Sequence, residues 1–550
     1  MHPTPRRRFW PAMVLTLLAA PPMLASLAAA VLALWQPAAW TQLWQQPQLP
    51  LALLRSLGTG TVATALALWV SAALLGSLRD SRHWSRVQAW LAPLLAVPHA
   101  AMAIAVLALL ASSGWLLRLT SPWATGWHAP PPWPTTQDPW GLGLVLVLVA
   151  KEVPFLLWAA SAQLARPDIG PRLARELRWA TTLGYSRSQA WWRVGWPQLL
   201  PRLGAPLLAV LAYSLTVVDV AWLAGPASPP TLAVLAWQWL QDTNPAIHAL
   251  GAVAAWLLAL CVLVCAAMGW AVLRAQPWRR SWVRGWQTST PRQRRIGALG
   301  LWWVLLALYG ACLLALALGS AIGVWPFPAL LPEHWSLAAW NTVLAQRSTL
   351  TVTAVLALAA SMAALLWTVA WLEWAPQLWQ RRLSPLWALP LALPALLWVL
   401  GLHQWMLRAG MDGSAVGLWL AHTLSVLPYT LLTLQGPYLA FDPRLGHVAA
   451  SLGQSQSRFL LQVKWPLLRA PLLAALAVGI AVSVAQYLPT LYIGAGRFAT
   501  VTTEAVAQAS GGQRALAASF AWLQWLLPWT VFGLAAWAAR HPSAQLNRRR

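Results

Sequence analysis

Charge is what this 550-residue chain has least of. Asp, Glu, Lys and Arg together make up 9% of it, against about 25% in an ordinary soluble domain. So little charge excludes a soluble globular protein, because too few groups remain to hydrate a surface. Lysine occurs twice, as Lys151 after Ala150 and Lys464 after Val463. A phosphate-binding P-loop needs its Lys directly after Gly, so the ammonium and the backbone N–H groups can cradle phosphates together. Neither lysine qualifies, which excludes a P-loop nucleotidase. The three cysteines, Cys261, Cys265 and Cys312, all lie in apolar runs, which excludes a disulfide framework. Cys261 and Cys265 share a helix face at i, i+4. With no His or carboxylate close by in that run, they are expected as buried apolar residues, not metal ligands.

What the chain has instead is hydrophobic length. Hydrophobic residues make up 59%, in recurrent runs of roughly 20, enough to cross the hydrocarbon of a bilayer as helix. The fold class expected is an all-α membrane protein of about 12 transmembrane helices. The first half places them at about 11–36, 56–78, 91–112, 140–164, 198–224 and 247–273. The second places them at about 297–321, 346–372, 386–407, 414–438, 470–493 and 515–538. The net charge of +25 does not point to nucleic acid, because the basic residues form no domain or stripe. They sit in short segments between apolar runs, where they report orientation and contact with anionic membrane lipid. Thirty of the 37 Lys and Arg fall on one side of this topology and six on the other, which predicts that both termini are cytoplasmic. The N-terminal "RRRFWPAMVLTLLAAPPMLASLAAA" also has the form of a signal peptide; the internal symmetry described next favours an uncleaved first helix.

Two segments match each other: "RWATTLGYSRSQAWWRVGWPQLL" and "HVAASLGQSQSRFLLQVKWPLLR". Gly184 and Gly453, Pro197 and Pro466, Gly225 and Gly494, and Thr231 and Thr500 are each 269 residues apart. One offset across so long a stretch means duplication, with both copies running in the same orientation. The expected organisation is a first half at 1–273, a basic linker at 274–296 and a second half at 297–550. A Gly between two short helices permits a left-handed turn, and Pro suits the start of the following helix, where its missing N–H costs little. A small Ala at 180 and 449 lets a partner surface approach. The 43 tryptophans often flank apolar runs, where indole suits the membrane interface.

With these repeats the chain resembles the integral membrane permeases of bacterial ABC importers, type I fold, whose coupling loops follow E-A-A-x(3)-G with a later Pro. Ala180, Gly184 and Pro197 fit in one copy, and Ala449, Gly453 and Pro466 in the other. The family's Glu is replaced by Arg178 and His447. The resemblance implies two pseudo-symmetric six-helix halves with permease cores at about 52–273 and 345–538. It also implies an inner-membrane location, a cytoplasmic ATPase dimer docking on the two loops, and a periplasmic substrate-binding protein. No cofactor is expected in this chain, ATP and Mg being bound by the ATPase. The string Ser510-Gly511-Gly512-Gln513-Arg514 resembles the ABC ATPase signature. It is expected on the outer face, away from ATP, as a chance match. The fused arrangement is similar to permeases for thiamine and ferric iron, with polyamine permeases related.

Ionisable residues inside apolar runs are the remaining signal, because each costs about 2.5–3.5 kcal/mol at a helix centre on insertion scales. Lys151 and Glu152, next to Pro154, either line the path or its gate, or form a structural ion pair. His422 stands in the comparable helix of the second half. Asp219, Gln486 and Glu504 are further candidates for meeting a cationic substrate or the binding protein, with solvated interfacial groups the alternative. His99, His403 and His422 are too scattered in sequence to suggest a metal site. A second functional class, an ion-coupled secondary transporter with two six-helix halves, shares the topology, but the duplicated loops count against it.

Overall fold

The computed structural model describes residues 5–274 and 295–540. Most of the basic linker and the terminal Arg548, Arg549 and Arg550 lie outside the described residues. Among those described the chain is helical throughout, with one extended pairing, an antiparallel bridge between Ile322 and Trp335. Helix is what an apolar chain in hydrocarbon must form, because every backbone N–H and C=O has to be satisfied within its own segment. Among the described residues, ten helices are long and apolar enough to cross a membrane, and twelve result if two bent pairs each count as one span.

Most expected spans are found at the expected places, such as Leu142–Leu164 and Ala415–Leu439. Four expected as continuous are broken. The third divides into Trp84–Leu95 and His99–Leu110, and the ninth into Gln377–Leu391 and Ala395–Arg408. Pro98 and Pro394 cap the second pieces with extended ψ angles of 148° and 134°, since proline lacks the N–H a continuing helix needs. The fifth and eleventh each end early and are followed by a short helix. Gly204–Thr216 gives way to Asp219–Ala224, and Arg469–Val484 to Leu488–Gly494. Asp219 therefore opens a separate helix instead of closing the fifth span, and Gln486 lies in the corresponding break.

The chain forms two compact units that cut across the sequence halves. One comprises 1–35, 338–511 and 519–550; the other comprises 36–337 and 512–518. In the first unit, helix Pro5–Leu32 packs on Arg347–Trp374 and Ala395–Arg408. The Trp367 indole donates to the Leu15 carbonyl at 3.1 Å. Gly401 allows the closest approach there, because a Cβ on it would meet the Ser26 carbonyl oxygen at 2.0 Å. In the second unit, helix Arg295–Gly319 packs on Leu49–Leu78 and His99–Leu110, and the Tyr309 hydroxyl donates to the Ala150 carbonyl at 3.1 Å. The opening helix of each half thus belongs to the unit built mainly from the other half.

Within each unit the duplication repeats in hydrogen bonds. The Leu232 N–H donates to Ser56 Oγ at 2.7 Å, and the Val501 N–H to Thr353 Oγ1 at 2.9 Å. Leu232 and Val501 are again 269 residues apart. Each bond satisfies an N–H at a helix start that has no partner inside its own helix.

Candidate functional site

The two matched segments adopt one shape. Helices Gly170–Thr182 and Arg444–Ser451 each end in a glycine of positive φ, 89° at Gly184 and 72° at Gly453. Side chains with a Cβ rarely adopt this region. Ser186 and Ser455 then cap the next short helix by accepting the Gln189 and Arg458 N–H groups, each cap worth about 1 kcal/mol. One wide π-type turn follows in each copy, Trp191–Gly195 and Leu460–Lys464. Pro197 and Pro466 take the first turn of the helices after it.

Ala180 does not face outward as expected. It is buried with Leu173, Leu177 and Ala190 in the apolar core of its own loop, so its small size serves packing between the loop's two helices. Ala449 is half-buried, while Arg178 and His447 are exposed. The apolar surface presented outward comes from other residues, Trp179 and Leu183 in one loop and Val448 and Leu452 in the other, exposed by 64%, 67%, 55% and 74%. These pairs share the offset of 269 residues. Their signal in the sequence is a large apolar residue directly before each turn glycine. Glu176 braces the first loop by accepting from Arg172 at 2.8 Å and from Gln198 at 2.6 Å. These two donors hold its carboxyl below the ordinary glutamate value.

Lys151 and Glu152 do not pair with each other. Neighbouring residues point about 100° apart around a helix, and each finds its own partner. Lys151 is buried and donates to the Leu94 carbonyl at 3.0 Å, at the break in the third span. Glu152 meets His99 Nε2 at 3.2 Å, with the carboxylate 7% and the imidazole 31% exposed. Tyr213 lies against the same imidazole, ring centroids 4.4 Å apart, and helix Asp219–Ala224 packs on helix His99–Leu110. His99 therefore engages Glu152, one of the sequence candidates, and sequence spacing gave no hint of it. Among the described residues, no three His, Cys, Asp or Glu side chains are grouped as metal ligands.

The other unit treats its candidates differently. His422 is buried, and hydroxyls engage both ring nitrogens, Ser483 at 2.9 Å and Thr490 at 3.0 Å. As placed, it offers no free nitrogen to a substrate. Glu504 stands in the first turn of Val501–Ser510, where a carboxylate suits the helix dipole, and accepts from Gln508 at 3.2 Å. Gln486 is half-buried in the break before Leu488–Gly494. The string Ser510 to Arg514 is a turn, with Gly512 at φ 77° and Arg514 donating to Ser113 Oγ at 2.6 Å.

No family model matches the chain, and no solved structure does. The chain is 38% identical over 505 residues to the inner membrane ABC transporter permease protein YnjC of Escherichia coli (strain K12). The match spans 91% of this chain and 90% of that protein. Such permeases are membrane components whose ATPase is a separate subunit, so the ion-coupled alternative falls away. The chain belongs to the family of inner-membrane ABC transporter permeases.

Proposed function

We propose that the chain forms the translocation path of an ATP-driven importer, with both termini cytoplasmic. A cytoplasmic ATPase dimer, holding ATP and Mg, docks on the segments around Gly184 and Gly453. A periplasmic binding protein delivers the substrate. Support comes chiefly from the two loops. They share left-handed glycines, serine caps and wide turns, and each presents an apolar pair, Trp179 with Leu183 and Val448 with Leu452. Two like surfaces suit two like partners. Closure of the ATPase dimer on ATP moves both loops and rocks the path between outward and inward access. The chain's path residues and loops carry this motion and need no cofactor of their own.

The substrate is a cation, thiamine or ferric iron ahead of a polyamine. Glu152, which meets His99, favours positive charge in its vicinity, whereas Lys151 is occupied by the Leu94 carbonyl. The test is calorimetry on the cognate binding protein, followed by uptake of its ligand into right-side-out vesicles loaded with ATP. Micromolar or tighter binding of one of these cations and ATP-dependent accumulation are expected. Binding of an anion, sugar or peptide alone rejects the substrate, and ATP-driven efflux rejects the direction.

A further inference from the structure

The two repeats fasten their loops to the span that follows each opening helix by unlike means. In the first repeat the Trp191 indole, 2% exposed, lies against the end of helix Leu49–Leu78, and its Nε1 donates to the Ala72 carbonyl at 2.9 Å. Glycine admits it on two sides. A Cβ on Gly76 would stand 2.3 Å from the indole Cδ1, and one on Gly195 would stand 2.6 Å from Cε3. The Arg79 guanidinium covers the ring at 4.8 Å from its centroid.

In the second repeat all three positions differ. The loop offset of 269 carries Trp191 to Leu460 and Gly195 to Lys464. The offset of 297 that relates Ser56 to Thr353, the paired helix-start acceptors, carries Gly76 to Glu373. Lys464 Nζ donates to Glu373 Oε2 at 2.6 Å, and the Tyr438 hydroxyl donates to the same oxygen at 2.8 Å. Gln456 donates to Oε1 at 3.4 Å, and the ammonium sits 4.1 Å from the Tyr438 ring centroid. The Lys464 and Glu373 side chains are only 15% and 11% exposed. Removing one therefore strands the other away from water, a larger loss than the pair's own net gain. Where the first repeat has two glycines that make room for one aromatic ring, the second has two charged side chains that meet each other.

We propose that Glu373 and Lys464 are positioning residues that hold the second loop in register with helix Arg347–Trp374. This is the task Trp191 performs in the first repeat, and the two devices are interchangeable. The proposal rests on the reading of these loops as coupling elements, because only then does their register bear on transport. It also makes the two loops chemically unequal, one fastened by a ring between glycines and the other by an ion pair.

The test is hydrogen exchange by mass spectrometry on the full chain in lipid nanodiscs, where each molecule carries its own control. In Glu373→Gln, amides 456–464 should exchange about tenfold faster, given what a charge-assisted hydrogen bond is worth. Amides 187–195 of the same molecule should keep their rate. Protection of 456–464 should return in the exchanged pair Glu373→Lys with Lys464→Glu. It should return also in the transplant Glu373→Gly, Lys464→Gly and Leu460→Trp, which installs the first repeat's device. Unchanged protection in Glu373→Gln overturns the proposal, as does equal loosening of 187–195, which reports general destabilisation. Failure of the transplant to restore protection overturns interchangeability. If 456–464 loosens as expected while the complete transporter keeps its ATP-driven uptake, the fastening stands and the coupling reading falls.

Discussion

Glu152 Oε1 and His99 Nε2 stand 3.2 Å apart across two helices, at a place where one side chain is almost enclosed and the other is a third exposed. The imidazole is thus the more exposed end of a polar pair whose carboxylate is buried, with Tyr213 close to the same ring. The arrangement separates the roles of two neighbouring residues. Glu152 faces a partly exposed imidazole, and Lys151 is committed to a backbone carbonyl.

The first prediction follows from that division. Glu152→Gln should leave the protein inserted but lower uptake of a cationic substrate about tenfold, the effect of losing one partly buried charge contact worth roughly 1.4 kcal/mol. Lys151→Met should lose one hydrogen bond yet keep most uptake, because an apolar side chain of similar length is tolerated where a buried charge stood. Vesicle uptake normalised to inserted protein checks both. A Lys151→Met variant as impaired as Glu152→Gln would place Lys151 on the path.

A second prediction concerns the face on which the signature-like string lies. Ser510 is exposed and followed by the positive-φ turn at Gly512. In a background with Cys261, Cys265 and Cys312 replaced by Ala, Ser510→Cys should react with an impermeant thiol reagent added to the periplasmic side. Labelling from the cytoplasmic side alone would invert the proposed topology.

Glu176 supplies the third. Its folded pKa is depressed by Arg172 and Gln198, so its contribution to loop order is present above its unfolded value, about 4.3 for a free glutamate. That contribution disappears as pH falls through the lower folded value. Exchange protection of amides 170–182, corrected for intrinsic rates, should therefore be flat from about pH 8 to 5.5, well above both values. Glu176→Gln should reduce it throughout that window. A midpoint near neutral pH would show that another group controls the loop.

The sequence carried much of this because the duplication preserves spacing. A turn glycine, a serine cap and a proline at one offset give the loop's shape twice over, and the structure places positive φ and serine caps at both copies. What spacing cannot carry is a contact between distant spans. His99 and Glu152 are 53 residues apart, so no periodicity joins them, and proline alone does not place the breaks at Pro98 and Pro394, because Pro154 and Pro428 lie inside unbroken helices. The exchange of opening helices between units is likewise invisible, because helices Pro5–Leu32 and Arg295–Gly319 are apolar on every side that matters in hydrocarbon. Ala180 shows the opposite failing. Its motif position was legible, but whether its methyl group faces a partner or its own loop depends on Leu173 and Leu177.

The last prediction tests the loops themselves. At φ angles of 89° and 72°, Gly184 and Gly453 occupy a region that costs an L-residue about 1–2 kcal/mol, and more for a β-branched one. A Cβ on Gly453 would meet no neighbouring atom, so conformation rather than space is what valine would violate there. Gly184→Val or Gly453→Val should therefore re-aim the exposed Leu183 or Leu452 beside it while leaving the spans inserted. Substrate-linked transport should fall at least about tenfold per ATP hydrolysed, whereas the Asn variants, which tolerate the left-handed region, should keep most of it. The comparison of Val with Asn removes side-chain bulk as the cause, and normalising to ATP hydrolysed removes expression level. If both valine variants transport normally with their ATPase, the loops around Gly184 and Gly453 are not the coupling elements.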